Sequence, residues 1–140
     1  WAVDSDGDFP AWFDEGMGDY FGQARPDKEG FELGRLHPEW VEALQEAIRS
    51  GRHVPLAEFV RLSRDDYYDR PMVCYPEGWA LVYFLRHSGN VVHRAVADRL
   101  MDVFVKTGEE SKAVDAAFRG IDLGVLEEEW KAYVLRWPVP

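Results

Sequence analysis

Apolar residues recur at helical spacing along most of the chain, and this periodicity constrains the fold more than any other feature of the sequence. No alternating pattern typical of β-strands competes with it at any length. The apolar positions are Trp40, Val41, Leu44 and Ile48; a continuous run from about Tyr75 to His87; Val92, Val96, Leu100, Val103 and Phe104; Val114, Ala117 and Phe118; and Leu123, Leu126, Trp130, Tyr133, Val134 and Trp137. The sequence therefore predicts a mainly α-helical fold of about six to seven helices.

The intervening stretches carry weaker signals. Residues 22–36, 52–56 and 64–76 are predicted to be loops or short helices, and "DRPMVCYP" (69–76) to be briefly extended. With 140 residues, of which 46% are hydrophobic, the chain can bury a core of its own. It shows no internal repeat and no long linker. We therefore expect residues 1–140 to form a single helical unit.

The charge balance excludes several classes of partner. A formal net charge of -10 argues against nucleic acid and against an anionic membrane surface, because both attract clustered Lys and Arg. The longest apolar run, Trp79 to Leu85, is too short to cross a bilayer, so no membrane insertion is expected. Cys74 is the only cysteine and can form no internal disulfide.

The stretch "PAWFDEGMGDYF" (10–21) combines aromatic, acidic and glycine residues in an unusual way. Proline is tolerated in the first helical turn, so Pro10 predicts a helix start. Helical spacing then places Phe13, Met17 and Tyr20 on one apolar face. Another face carries two carboxylates one turn apart, Glu15 and Asp19.

Two glycines in the same short helix require an explanation. Gly16 and Gly18 each cost roughly 1 kcal/mol relative to alanine in a helix interior, and the usual reason for accepting that cost is the close approach of another group. A carboxylate pair on such a helix suits a metal site. One carboxylate of the pair would ligate the metal, and the other would orient a neighbouring ligand.

At these residues the chain resembles a known group of enzymes. "PAWFDEGMGDYF" is similar to the Pro-x-Trp-(Leu/Phe)-x-Glu-Gly-x-(Ala/Gly)-x-Tyr-Phe segment of gluzincin zinc metallopeptidases, and "YPEGWALVYFL" (75–85) and "LEEEWKAYV" (126–134) are similar to the C-terminal part of a peptidase-like domain in that group, DUF family 1570. The resemblance covers about residues 9–137. It implies that the fold is the C-terminal helical part of a zincin-like peptidase domain.

The resemblance also implies roles for three residues. Glu15 corresponds to the third zinc ligand, and Asp19 to an acid that bonds a ligating histidine. Tyr75 corresponds to a substrate-side tyrosine that would stabilise an oxyanion, with His37 and His93 as alternatives for that role. The implied cofactor is zinc, and the implied substrate is a peptide or protein.

The chain departs from this pattern because it contains no His-Glu-x-x-His motif, which supplies two zinc ligands and the general base. We expect that motif to precede Trp1 in a longer parent protein, so that the domain is truncated here. The isolated chain should then bind no zinc tightly and should be inactive. A degenerate relative that serves as a non-catalytic helical interaction module is the alternative.

A second alternative is a calcium-binding loop that would use some of the same acids. In "DSDGDFPAWFDE" (4–15), Asp4, Asp6 and Asp8 occupy the first, third and fifth places, and Glu15 the twelfth. Phe9 stands in the sixth place, where the sharp turn of such a loop needs glycine. Because Phe9 does not fit a calcium loop, Asp8 is predicted instead to help start the helix.

Overall fold

The structure, a computed structural model, describes residues 8–139. This part of the chain is mainly helical, as predicted, with eight helices and one small hairpin. The helices are α1 (Ala11–Gly22), α2 (Pro38–Arg49), α3 (Leu56–Phe59), α4 (Arg64–Asp69), α5 (Pro71–His87), α6 (Val91–Thr107), α7 (Glu110–Ala117) and α8 (Leu123–Leu135). The hairpin pairs β1 (Arg25–Asp27) with β2 (Gly30–Glu32) in antiparallel register, Pro26 opposite Phe31.

Local sequence explains where the helices begin and end. The side chains of His37, Ser63, Asn90 and Asp122 each accept a hydrogen bond from a backbone N–H in the first turn of the helix that follows. Gly108 ends α6 in the left-handed conformation, with φ of 65°. At α1 the N-cap is Pro10, without a side-chain cap. The expectation that Asp8 starts this helix is therefore not met; its carboxylate lies 3.4 Å from the Arg64 guanidinium.

Helix α5 runs through the centre of the fold and differs most from the sequence-based expectation. It begins at Pro71 rather than near Tyr75, so most of the "DRPMVCYP" segment is helical and not extended. The proline at position 76 lies inside this helix, where it donates no backbone hydrogen bond. Proline at this position favours a break in the helix, but burial of the surrounding side chains stabilises a continuous helix.

All eight helices contribute buried residues to one hydrophobic core. The contributors include Trp12, Val41, Leu56, Tyr67, Trp79, Val96, Val114 and Leu126, one from each helix in chain order. Three tryptophans, Trp12, Trp79 and Trp130, are almost completely buried. Within the described residues, no helix is both long enough and apolar enough to cross a membrane.

The two helices that carry the predicted site residues, α1 and α5, cross in direct backbone contact. A Cβ atom added to Gly16 would lie 2.6 Å from the carbonyl oxygen of Gly78 and 2.9 Å from a methyl group of Val82. The close approach expected at this glycine is therefore the packing of α5. An added Cβ on Gly18 would meet nothing within 4 Å, so this glycine faces open space.

Candidate functional site

Glu15 is held by a tyrosine that follows it by 53 residues. The hydroxyl of Tyr68, on α4, donates a hydrogen bond of 2.6 Å to Oε1 of Glu15. Arg64, one turn earlier on α4, donates a 3.0 Å hydrogen bond to the same hydroxyl oxygen. It also donates 2.8 Å and 3.0 Å hydrogen bonds to Asp14 and to the carbonyl oxygen of Phe9. Helix α4 therefore ties the start of α1 in place and fixes one oxygen of Glu15.

Asp19 lies one turn further along α1, in a half-buried position. Its Oδ2 atom is buried and has no hydrogen-bond partner among the described residues. Burial, followed by the nearby charge of Glu15, raises the pKa of Asp19 from 3.8 to about 6. This carboxyl group is therefore able to accept an N–H donor or to hold a proton near neutral pH.

Three tyrosines surround the two acids. The rings of Tyr67 and Tyr75 are in edge-to-face contact at 5.5 Å, and those of Tyr68 and Tyr75 lie 6.3 Å apart. Burial, then Glu15 and Asp19, raises the pKa of Tyr75. We call Glu15, Asp19, Tyr67, Tyr68 and Tyr75 the carboxylate–tyrosine cluster.

The cluster depends on the second glycine at the helix crossing. A Cβ atom added to Gly78 would lie 2.5 Å from the Tyr67 hydroxyl oxygen. That hydroxyl is buried without a hydrogen-bond partner in the described part of the chain. Burial, followed by the charge of Asp19, raises the pKa of Tyr67 strongly, so its proton is held firmly. Two neutral phenols, those of Tyr67 and Tyr75, and a carboxyl pair thus lie close together beside the crossing of α1 and α5.

The structure brings the three predicted site residues, Glu15, Asp19 and Tyr75, to one place, although Tyr75 is distant in sequence from the two acids. Sequence reasoning missed Tyr67 and Tyr68. The available signal was the segment "SRDDYYD" (63–69), because Ser63 followed by acids predicts a helix start. A helix there turns its adjacent tyrosines in different directions, one into the core and one toward Glu15.

The four histidines have their contacts outside the carboxylate–tyrosine cluster, and both ring nitrogens of His53 lack a hydrogen bond in the described structure. Nδ1 of His37 accepts from the backbone N–H of Trp40, His53 lies 3.7 Å from the Glu127 carboxylate, His87 bonds the Tyr20 hydroxyl at 2.8 Å, and His93 bonds the Ser88 hydroxyl at 2.8 Å. In the described part of the chain, no three His, Cys, Asp or Glu side chains are arranged to hold a metal ion. Of the candidates for an oxyanion-stabilising role, only Tyr75 adjoins Glu15 and Asp19.

The acids of the hypothetical calcium loop are only partly described. Asp4 and Asp6 lie outside the described residues. Asp8 faces Arg64, and Glu15 accepts the hydrogen bond from Tyr68. Both described acids therefore have partners within the protein.

A second polar group, unnoticed in the sequence, lies in the core. Glu77, on α5, is completely buried, and its Oε1 accepts a 2.8 Å hydrogen bond from the backbone N–H of Val54. Its Oε2 has no partner in the described structure. Burial raises the pKa of Glu77 well above its ordinary value of 4.5. The signal in the sequence was a lone carboxylate within an otherwise apolar helix.

No family model, no curated protein and no solved structure matches the chain.

Proposed function

We propose that this chain is the C-terminal helical part of a zincin-like domain in a gluzincin-type metallopeptidase. In this proposal Glu15 is the third zinc ligand, Asp19 positions a ligating histidine, and Tyr75 stabilises the oxyanion of a peptide or protein substrate. The observation that carries the proposal is the meeting of these three residues in one partly open cluster.

The residues of the cluster fit part of a zinc site. Tyr68 occupies one oxygen of Glu15, which restricts the orientation of the carboxylate as a ligand requires. The unpartnered, buried Oδ2 of Asp19 fits an acid that accepts a hydrogen bond from an imidazole N–H. The two histidines and the general base would come from outside these 140 residues, because the chain has no His-Glu-x-x-His motif.

When bound at such a site, zinc polarises a peptide carbonyl and acidifies water. The contributions of this chain are positional and electrostatic. Asp19 would keep a ligating imidazole in one tautomer and one orientation. The Tyr75 hydroxyl, whose pKa is raised, would stay protonated at neutral pH and could donate a hydrogen bond to negative charge developing on a substrate oxygen.

The test uses the natural full-length protein that contains these residues. We expect Glu15→Gln to abolish peptidase activity nearly completely, because an amide is a far poorer zinc ligand than a carboxylate. Asp19→Asn should lower metal affinity or activity by about 10 to 100-fold. Tyr75→Phe should leave zinc bound and lower kcat by about 10² to 10³-fold. Full activity in the Glu15→Gln protein would refute the proposal.

A second function, a non-catalytic helical interaction module, is favoured by a different observation. Large apolar side chains are exposed at separate places along the chain, among them Met72 at 82% and Phe31 at 70%, and a binding surface would have to join such residues into one patch. If this function is the correct one, Phe31→Ser and Met72→Ser should abolish association with a partner, whereas Glu15→Gln should leave it unchanged. Pull-down from the native source with these variants separates the two functions.

A further inference from the structure

An apolar groove lies on the side of α1 that faces away from Glu15. At 100° per residue, Phe13 and Glu15 point about 160° apart around the helix axis. The groove has a volume of about 670 Å³, which is within the usual range for small-molecule sites. Its lining includes Trp12, Phe13, Met17, Val82, Leu85 and Val91, from α1, α5 and α6.

Two arginines give one part of this groove a positive charge. Arg86, at the end of α5, and Arg94, in the first turn of α6, both line it. Neither forms an ion pair in the described structure, although the chain carries 26 acidic residues against 16 Lys and Arg. Both lie close enough to His87 to lower its pKa, after the larger effect of burial. The guanidinium of Arg86 is also stacked over the ring of Tyr20 at 4.9 Å.

One acid, Asp98, opposes this charge within the groove. It lies one turn beyond Arg94 on α6. His93 also lines the groove, but its ring is committed to Ser88 at 2.8 Å and lies 3.4 Å from Glu129. The two arginines therefore outnumber the single acid of the lining, in a chain whose net charge is -10.

We propose that this groove binds a small amphipathic carboxylate, with an aliphatic body on the apolar floor and its carboxylate at Arg86 and Arg94. The lining segment of α1, from Phe13 to Tyr20, is about 10 Å long, which matches an acyl chain of about eight to ten carbons. An extended peptide is a poorer occupant. Apart from Leu33, the lining residues belong to helices, whose interior backbone groups are bonded within each helix, so the walls offer few partners for the amide groups of a peptide.

Decanoate below its micellar concentration is the probe, added to the 140-residue chain carrying ¹³C-methyl methionine. Met17 lines the groove, whereas Met72 is 82% exposed elsewhere. We expect a saturable shift of the Met17 methyl signal with an unchanged Met72 signal. Decanol, which has the same body without the charge, should bind more weakly.

Charge variants test the position of the carboxylate. Exposed ion pairs contribute about 0.2 to 1 kcal/mol, so Arg86→Gln and Arg94→Gln should each weaken decanoate binding by about 1.4 to 5-fold. Asp98→Asn should strengthen it by about twofold, because a repulsion is removed. Arg99→Gln, on the same helix but not in the groove lining, is the matched control and should change nothing.

Four results would overturn the proposal. Three of them are shifts of Met17 and Met72 that grow together without saturation, equal affinity for decanol and decanoate, and equal losses in the Arg94→Gln and Arg99→Gln proteins. Binding of an acidic helical peptide to the groove without any binding of decanoate would also contradict it. None of these measurements involves zinc or Glu15, so they are independent of the peptidase proposal.

Discussion

Replacing Gly16 by alanine should destabilise the protein even though alanine is the better helix former. The new Cβ atom would lie 2.6 Å from the carbonyl oxygen of Gly78 and 2.9 Å from a methyl group of Val82. The first of these neighbours is backbone inside α5 and cannot rotate away. The helices α1 and α5 would therefore have to move apart along their whole contact.

The size of the effect follows from two opposing contributions. Alanine in place of glycine in a helix interior gains about 1 kcal/mol. Overpacking of a close contact costs about 1 to 3 kcal/mol, and the cost should fall at the upper end because the clash is with backbone. We expect a net loss of about 1 to 2 kcal/mol in the free energy of unfolding, which lowers Tm by roughly 3 to 8 °C in a chain of this size.

Gly18→Ala is the matched control, two residues away on the same helix. Its Cβ atom would meet nothing within 4 Å, so only the gain in helix propensity remains. We expect this variant to be more stable than the wild type by up to about 1 kcal/mol. Urea unfolding followed by tryptophan fluorescence and circular dichroism measures both variants. Equal stability of Gly16→Ala and Gly18→Ala would show that α1 and α5 are not in close backbone contact at Gly16.

Three further predictions concern titration and metal binding. The pKa of Glu77 is raised well above 4.5, so its contribution to stability is present at low pH and is lost as pH rises through the folded-state pKa. In Glu77→Gln, the free energy of unfolding measured by urea titration should therefore decline less with pH above about pH 5. Burial raises the pKa of Asp19 from 3.8 to about 6, so the wild type should lose stability between about pH 4 and pH 7 relative to Asp19→Asn. An equal decline in both proteins would contradict the burial of this carboxyl group. The purified 140-residue chain, loaded with zinc, should retain little metal after gel filtration and cleave no peptide, since in the proposed assignment Glu15 is the only zinc ligand within it; robust hydrolysis would overturn this assignment.

The helical character of the chain could be predicted because apolar residues recur at helical spacing, as a stripe on one side in α6 and as a run buried on all sides in α5. The stripe of α6 ends at Phe104, four residues before the capping Gly108, and the structure agrees. The start of α5 could not be predicted in this way. Local propensity at Pro76 indicates a break, whereas the burial of Cys74, Glu77 and Trp79 favours a continuous helix. The hairpin was missed because its six residues are all exposed and show no alternation.

Helical spacing could predict only the part of the cluster that lies on one helix, whereas Tyr75 was expected from the family resemblance alone. Glu15 and Asp19 are one turn apart, so helical spacing alone places them on one face. Tyr68 reaches Glu15 only because α4 packs beside α1, and no sequence periodicity links residues 53 positions apart. The structural roles of Gly16 and Gly78 likewise depend on the helix crossing, since each glycine leaves room for the backbone or the side chain of a distant segment.

The most direct test of the central claim is the zinc content of the natural full-length protein with and without the Glu15 carboxylate. A glutamine side chain keeps an oxygen that can accept the hydrogen bond from Tyr68, so Glu15→Gln should leave the fold intact, as circular dichroism can verify. Glu29→Gln, in the exposed hairpin turn, is the control. We expect about one zinc per protein in the wild type and the control, and almost none in Glu15→Gln after dialysis. Equal zinc in all three proteins would show that Glu15 is not a ligand.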